Sequence, residues 1–105
     1  MSYNIDYLKD ARKDLRNFNN AEREQIFAAI EKFALNPLPK NEGGHGNPLG
    51  NKYGLNLTGL CKITLKKLGI RIVYKLIRTE TALQILVIAA RADEEVYKIA
   101  AKRNK

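Results

Sequence analysis

Five side chains in the second half of the chain have the chemistry to handle a phosphodiester: Lys62, Lys66, Arg71, Arg91 and Tyr97. Cutting RNA with side chains alone makes three demands. The 2′-hydroxyl must lose a proton, the phosphate must be stabilised as it gains charge, and the leaving 5′-oxygen must be protonated. Arginine offers a planar fork that matches phosphate oxygens. Lysine offers a point charge, and crowding by other cations is expected to lower its pKa into a useful range. Tyrosine can stack on a base or supply a hydroxyl. Lys75 adds a further cation for binding RNA. By spacing alone, the same residues also fit a solvated basic sheet face.

Other chemistries lack their residues. The single histidine, His45, lies in a glycine-rich stretch, and the single serine is Ser2. Neither a Ser-His-Asp triad nor a Cys/His zinc cluster is in view, and no metal or cofactor is expected. No phosphate-binding P-loop or dinucleotide fingerprint is present. One cysteine, Cys61, allows no internal disulfide and reads as a small buried hydrophobe. Lys and Arg number 19 against 11 Asp and Glu, a net charge of +8. Such a field favours phosphate backbones, anionic membranes or an acidic protein. No apolar run approaches the ~20 residues that span a bilayer. Met1-Ser2-Tyr3-Asn4 lacks the basic and apolar regions of a signal peptide, so a cytoplasmic location is expected.

Those side chains need a scaffold, and 105 residues fit one domain, 1–105. Tyr3, Ile5 and Tyr7 alternate with polar residues as a short strand does. Leu8, Ala11, Leu15 and Phe18 then form one helical stripe, and Ile26, Ala29, Ile30 and Phe33 another. Asn19-Asn20 breaks them, with Asn20 placed to cap the second helix. Asn36-Pro37 stops it. This is a helical hairpin. Residues 36–54, rich in glycine and proline, read as a surface loop. Tyr53, Leu55 and Leu57 mark a short strand ending at Thr58-Gly59. Cys61, Ile63 and Leu65, then Ile70, Ile72, Tyr74 and Leu76, define a β-hairpin whose parity sets Thr64 opposite Arg71. Residues 82–90 are almost wholly apolar and predict a central strand. Asp93 is placed to cap a last helix with Val96, Ile99 and Ala100 on its apolar face, and the tail Lys102-Arg103-Asn104-Lys105 is expected to fray. The architecture is β-α-α-β-β-β-α, class α+β, with the helical hairpin packed on an antiparallel sheet. The other sheet face, carrying Lys62, Thr64, Lys66, Arg71 and Lys75, is expected to stay open as a groove for an anion.

Leu57-Thr58-Gly59-Leu60-Cys61-Lys62-Ile63-Thr64-Leu65 followed by Gly69-Ile70-Arg71-Ile72-Val73-Tyr74 resembles the core signature of RelE/ParE-type toxins. That signature is a Leu-x-Gly turn, a basic strand, a short turn and Tyr-Arg-x-x-Tyr, in which Ile70 replaces the first tyrosine. Ala90-Arg91-Ala92-Asp93-Glu94-Glu95-Val96-Tyr97 resembles the closing strand and helix of the family. The resemblance covers nearly the whole chain. It implies the toxin of a type II toxin–antitoxin system, and for RelE-like members a ribosome-dependent messenger RNA endonuclease. Matched position by position, Lys62 falls on a catalytic strand lysine, Arg71 on a phosphate-stabilising arginine and Arg91 on the arginine after the last strand. Tyr97 falls on the helix tyrosine that stacks on a base and helps orient the nucleophile. Thr64 stands where RelE proper has a second lysine, so either Lys66 replaces it or Lys62 carries the role alone. That departure keeps ParE-like gyrase inhibition open, beside a non-enzymatic nucleic-acid-binding module. The implied partners are an antitoxin whose flexible segment wraps the toxin, the ribosome with its messenger RNA, and operator DNA through the antitoxin complex.

Overall fold

In the computed structural model, which describes residues 2–104, the alternating start of the chain is strand β1 (Asn4–Tyr7). Helix α1 (Lys9–Asp14) runs into a 3-10 turn, Leu15–Asn17, and helix α2 (Asn20–Ala34) follows. The break between them is a reciprocal capping box. Asn19 Oδ1 accepts from the Glu22 N–H at 2.8 Å, and Glu22 Oε1 accepts from the Asn19 N–H at 2.8 Å. The cap is Asn19 and not Asn20, because Asn19 is the residue with extended backbone at the turn.

Strands β2 (Asn47–Lys52), β3 (Leu55–Leu65), β4 (Ile70–Ile77) and β5 (Ala82–Ala89) come next, and helix α3 (Asp93–Arg103) last. The sheet order is β1-β5-β4-β3-β2. The class is α+β, as the periodicity predicts. The sheet is mixed, since β1 lies parallel to β5 while the other neighbours are antiparallel. The hairpin register is the predicted one, with Thr64 opposite Arg71.

The strand assignments differ from the sequence expectation at two places. The stretch expected as a loop contains β2, an edge strand. Pro48 and Gly50 disguise it, but an edge position needs only one hydrogen-bonding side and so tolerates proline. The two strands expected either side of Gly59 are the single strand β3. Pro48 pairs with Cys61 and Gly50 with Leu57, so β3 takes extra residues there as a bulge. Gly59, at φ +86°, takes the conformation the bulge demands. The bulge also switches parity: Leu57 and Leu60 face one side, Cys61 and Ile63 the other.

Each sheet face therefore has its own core. Ile26, Ile30 and Ala34 of α2 pack on Cys61, Ile63, Ile72, Tyr74 and Ile85. The Tyr74 hydroxyl donates to the Pro37 carbonyl at 2.7 Å, tying the chain after α2 to the sheet. Burial pushes the pKa of Tyr74 far above the usual tyrosine range and raises that of Cys61 too, leaving an inert thiol. The second face is not the open groove expected from its cations. Helix α3 covers it, seating Val96, Tyr97 and Ala100 on Leu57, Leu60, Val73 and Val87. Leu60 and Val73 alternate among the cations, and that apolar surface drives the helix down. The tail expected to fray is held as far as Arg103, whose Nη1 donates to Asp14 and to the Leu86 carbonyl, both at 2.8 Å; Lys105 lies outside the described residues. Among the described residues, no helix is long and apolar enough to cross a membrane.

Candidate active site

Lys62 pairs with Val73 and Thr64 with Arg71, so Lys62 and Arg71 are diagonal neighbours on the face that α3 covers. They lie at its rim, where α3 begins. The expected capping role of Asp93 is not what the structure shows. Ala92 holds the N-cap position, Asp93 is the first helical residue, and no side-chain cap bond forms. Its carboxylate instead bridges the two cations: Lys62 Nζ stands 3.5 Å away, and Arg71 Nε donates directly to it. Carboxylate charge also suits the positive end of the helix.

Arg71 is further fixed by Nη1, which donates to the Arg91 carbonyl at 2.8 Å. Among the described residues its Nη2 has no partner. Lys62 Nζ lies 5.8 Å from the centroid of the Tyr97 ring. Burial works to lower the pKa of this ammonium, but the Tyr97 hydroxyl and the Asp93 carboxylate outweigh it and lift the pKa above the ordinary lysine value. The expectation that neighbouring cations would lower it is overturned, because the nearest charge is an anion. Lys62, Arg71 and Asp93 keep 23%, 26% and 31% of their side-chain surface, enough for a ligand atom to arrive.

Tyr97 is only 1% exposed. With α3 seated, its ring is covered and cannot stack on a base. Tyr53, exposed at the surface, packs on it at 6.0 Å between centroids and 45° between planes, and presents the accessible ring.

No family model and no curated protein matches the sequence, but solved structures do. An arginine-to-alanine double mutant of the E. coli toxin RelE in the free state superposes with a TM-score of 0.79, at 25% identity over 100% of both chains. The chain is a member of the RelE-like toxin superfamily. The same mutant bound to a peptide of the antitoxin RelB gives a TM-score of 0.70, again at 25% identity over 100% of both chains. The RelE chain of an archaeal RelE–RelB complex from Pyrococcus horikoshii shares the fold, with a TM-score of 0.61 and 17% identity over 89% of this chain and 99% of that one.

In this RelE-like chain the remaining expected site residues stand apart from the cluster. The Arg91 side chain is exposed and pairs with Glu95 at 3.1 Å; only its carbonyl enters the cluster. Lys66 is exposed in the turn after β3 and makes no bond to the cluster. Lys75 pairs with Leu60 and Gln84, beyond the α3-covered Val73, and has no ion-pair partner among the described residues. His45 is exposed beside Phe33. Among the described residues, no three His, Cys, Asp or Glu side chains group as a metal site. Sequence reasoning missed Asp93 and Tyr53 as members of the site. One signal was present: Leu60 and Val73 on the supposedly open face call for a cover, and the first residue of that cover must land on the neighbouring cations.

Proposed function

We propose that the protein is the toxin of a type II toxin–antitoxin pair and a ribosome-dependent messenger RNA endonuclease. The observation that supports this most is the convergence of Lys62 and Arg71 on one solvent-reachable point of a RelE-like fold. Arg71 presents a guanidinium edge to the scissile phosphate and stabilises its growing charge. Lys62, held protonated, is the proton donor for the leaving 5′-oxygen. Tyr97 supports Lys62 from beneath and does not stack on a base; the Tyr53 ring is open to one. Arg91 is free to leave Glu95 for RNA or the ribosome, since an exposed pair spaced i,i+4 is worth only ~0.3–0.5 kcal/mol. Lys66 and Lys75 contribute to the field that draws RNA in. The net charge of +8 equally suits an acidic antitoxin segment, through which the pair would reach operator DNA.

The test is cleavage of messenger RNA on purified ribosomes, mapped by primer extension. The wild-type protein is expected to cut, and Arg71→Ala to lose about 100-fold or more in rate. Undiminished cutting by Arg71→Ala removes the proposal. In cells, an early fall in methionine incorporation supports it. An early fall in thymidine incorporation points instead to a ParE-like gyrase inhibitor, a reading that Thr64 favours by standing where RelE proper has its second lysine.

A further inference from the structure

We propose that Asp93 is the proton acceptor of the cleavage reaction, holding Lys62 and Arg71 in the resting site and exchanging places with the scissile phosphate when RNA binds. This rests on the endonuclease reading and supplies the role that reading leaves empty. The 2′-hydroxyl needs a base. Arginine stays protonated in proteins, Lys62 is held in its ammonium form, and Thr64 is no proton acceptor at neutral pH. The groups that face the site are Lys62 from β3, Arg71 from β4, and Asp93 and Tyr97 from α3. Of these only Asp93 carries a carboxylate.

The geometry fits an exchange. Asp93 takes Nε of Arg71 and leaves Nη2, the other end of the same guanidinium edge, without a partner among the described residues. A phosphate in its place engages both ends and Lys62 as well, a better match to the fork than one carboxylate oxygen. No backbone N–H holds the Asp93 side chain, so it can move aside. Displaced from its two cationic partners, its carboxylate stands free beside the ribose. The 2′-hydroxyl proton passes to Asp93 while the 2′-oxygen forms its bond to phosphorus. The P–O5′ bond breaks, and the 5′-oxygen takes a proton from Lys62. The products are a 2′,3′-cyclic phosphate and a 5′-hydroxyl. Asp93 then returns its proton to Lys62 across their 3.5 Å contact, and the site is restored without net gain or loss.

The experiment compares wild type, Asp93→Asn and Asp93→Glu in single-turnover cutting of messenger RNA on ribosomes. It also measures binding of the same ribosomes carrying 2′-O-methyl RNA, which cannot be cut. Asp93→Asn is expected to cut about 100-fold more slowly yet bind the uncuttable complex at least as well, because two cations are released. Asp93→Glu is expected to recover most of the rate. Asp93→Asn cutting at about the wild-type rate overturns this role and leaves the endonuclease reading standing. A loss of binding in step with the loss of rate, or Asp93→Glu as dead as Asp93→Asn, overturns it too. A wild-type protein that leaves messenger RNA whole removes both.

Discussion

At the far end of α3, Asp14 accepts from Arg103 Nη1 at 2.8 Å, from Nη2 at 3.3 Å and from the Ile88 backbone N–H at 3.0 Å. At the near end, Asp93 accepts only from the side chains of Lys62 and Arg71. The first pair is built into the sheet. Val73 pairs with Val87 and Tyr74 with Ile85, so Leu86 is left out of the ladder, and Arg103 takes its carbonyl. Asp14 and Arg103 keep 15% and 20% of their side-chain surface, against 31% for Asp93. An ion pair that satisfies backbone groups holds a fold. One that satisfies only its own members can be traded for an incoming ligand.

The contrast can be broken by measurement. Asp14→Ala should have the largest effect, about 3 kcal/mol lost in denaturant unfolding, because Arg103 is left charged and mostly buried. A loss as small as that of Asp93→Asn would erase the distinction between the two ends. Tyr74→Phe, on the opposite face, should cost about 1–2 kcal/mol by orphaning the Pro37 carbonyl. Its pKa is raised by folding, so its contribution is full below the ordinary tyrosine pKa of 10.0 and fades as pH rises beyond it. The Phe variant should therefore show a shallower alkaline loss of stability. Asp93→Asn should change unfolding stability by less than about 1 kcal/mol, since the pair it breaks is partly solvated. Lys66→Ala and Lys75→Ala should be smallest of all, leaving the fold untouched and the cutting rate within about threefold of wild type. A large fall with Lys66→Ala would return it to the site as the substitute for the missing lysine.

Periodicity revealed the first two helices and the β3–β4 register, because each buries one clean face, and an unbroken apolar run revealed the inner strand β5, which is buried on both. It hid β2, since Pro48 and Gly50 carry loop composition into an edge position that tolerates both. It split β3 at Gly59, because a bulge looks like a turn when parity changes across it. Lys62 and Arg71 were legible as a pair from register alone. The burial of Tyr97 was not, because a helix with one apolar stripe does not announce which surface it will cover. Asp93 was masked by its position: an acid at the start of a helix has an ordinary local use, and only the crossing of α3 over β3 and β4 gives it a second one.

Asp14 and Arg103 lie 89 positions apart, and β1 enters the sheet beside β5, near the other end of the chain. Synthesis runs from the N-terminus, so the first strand must wait for a neighbour made long after it. The sheet cannot close before β5 has emerged, nor α3 seat itself before its own residues have. Until then Lys62 and Arg71 have no Asp93 above them. Whatever this rim does to RNA is thereby denied to a growing polypeptide that has not yet made α3.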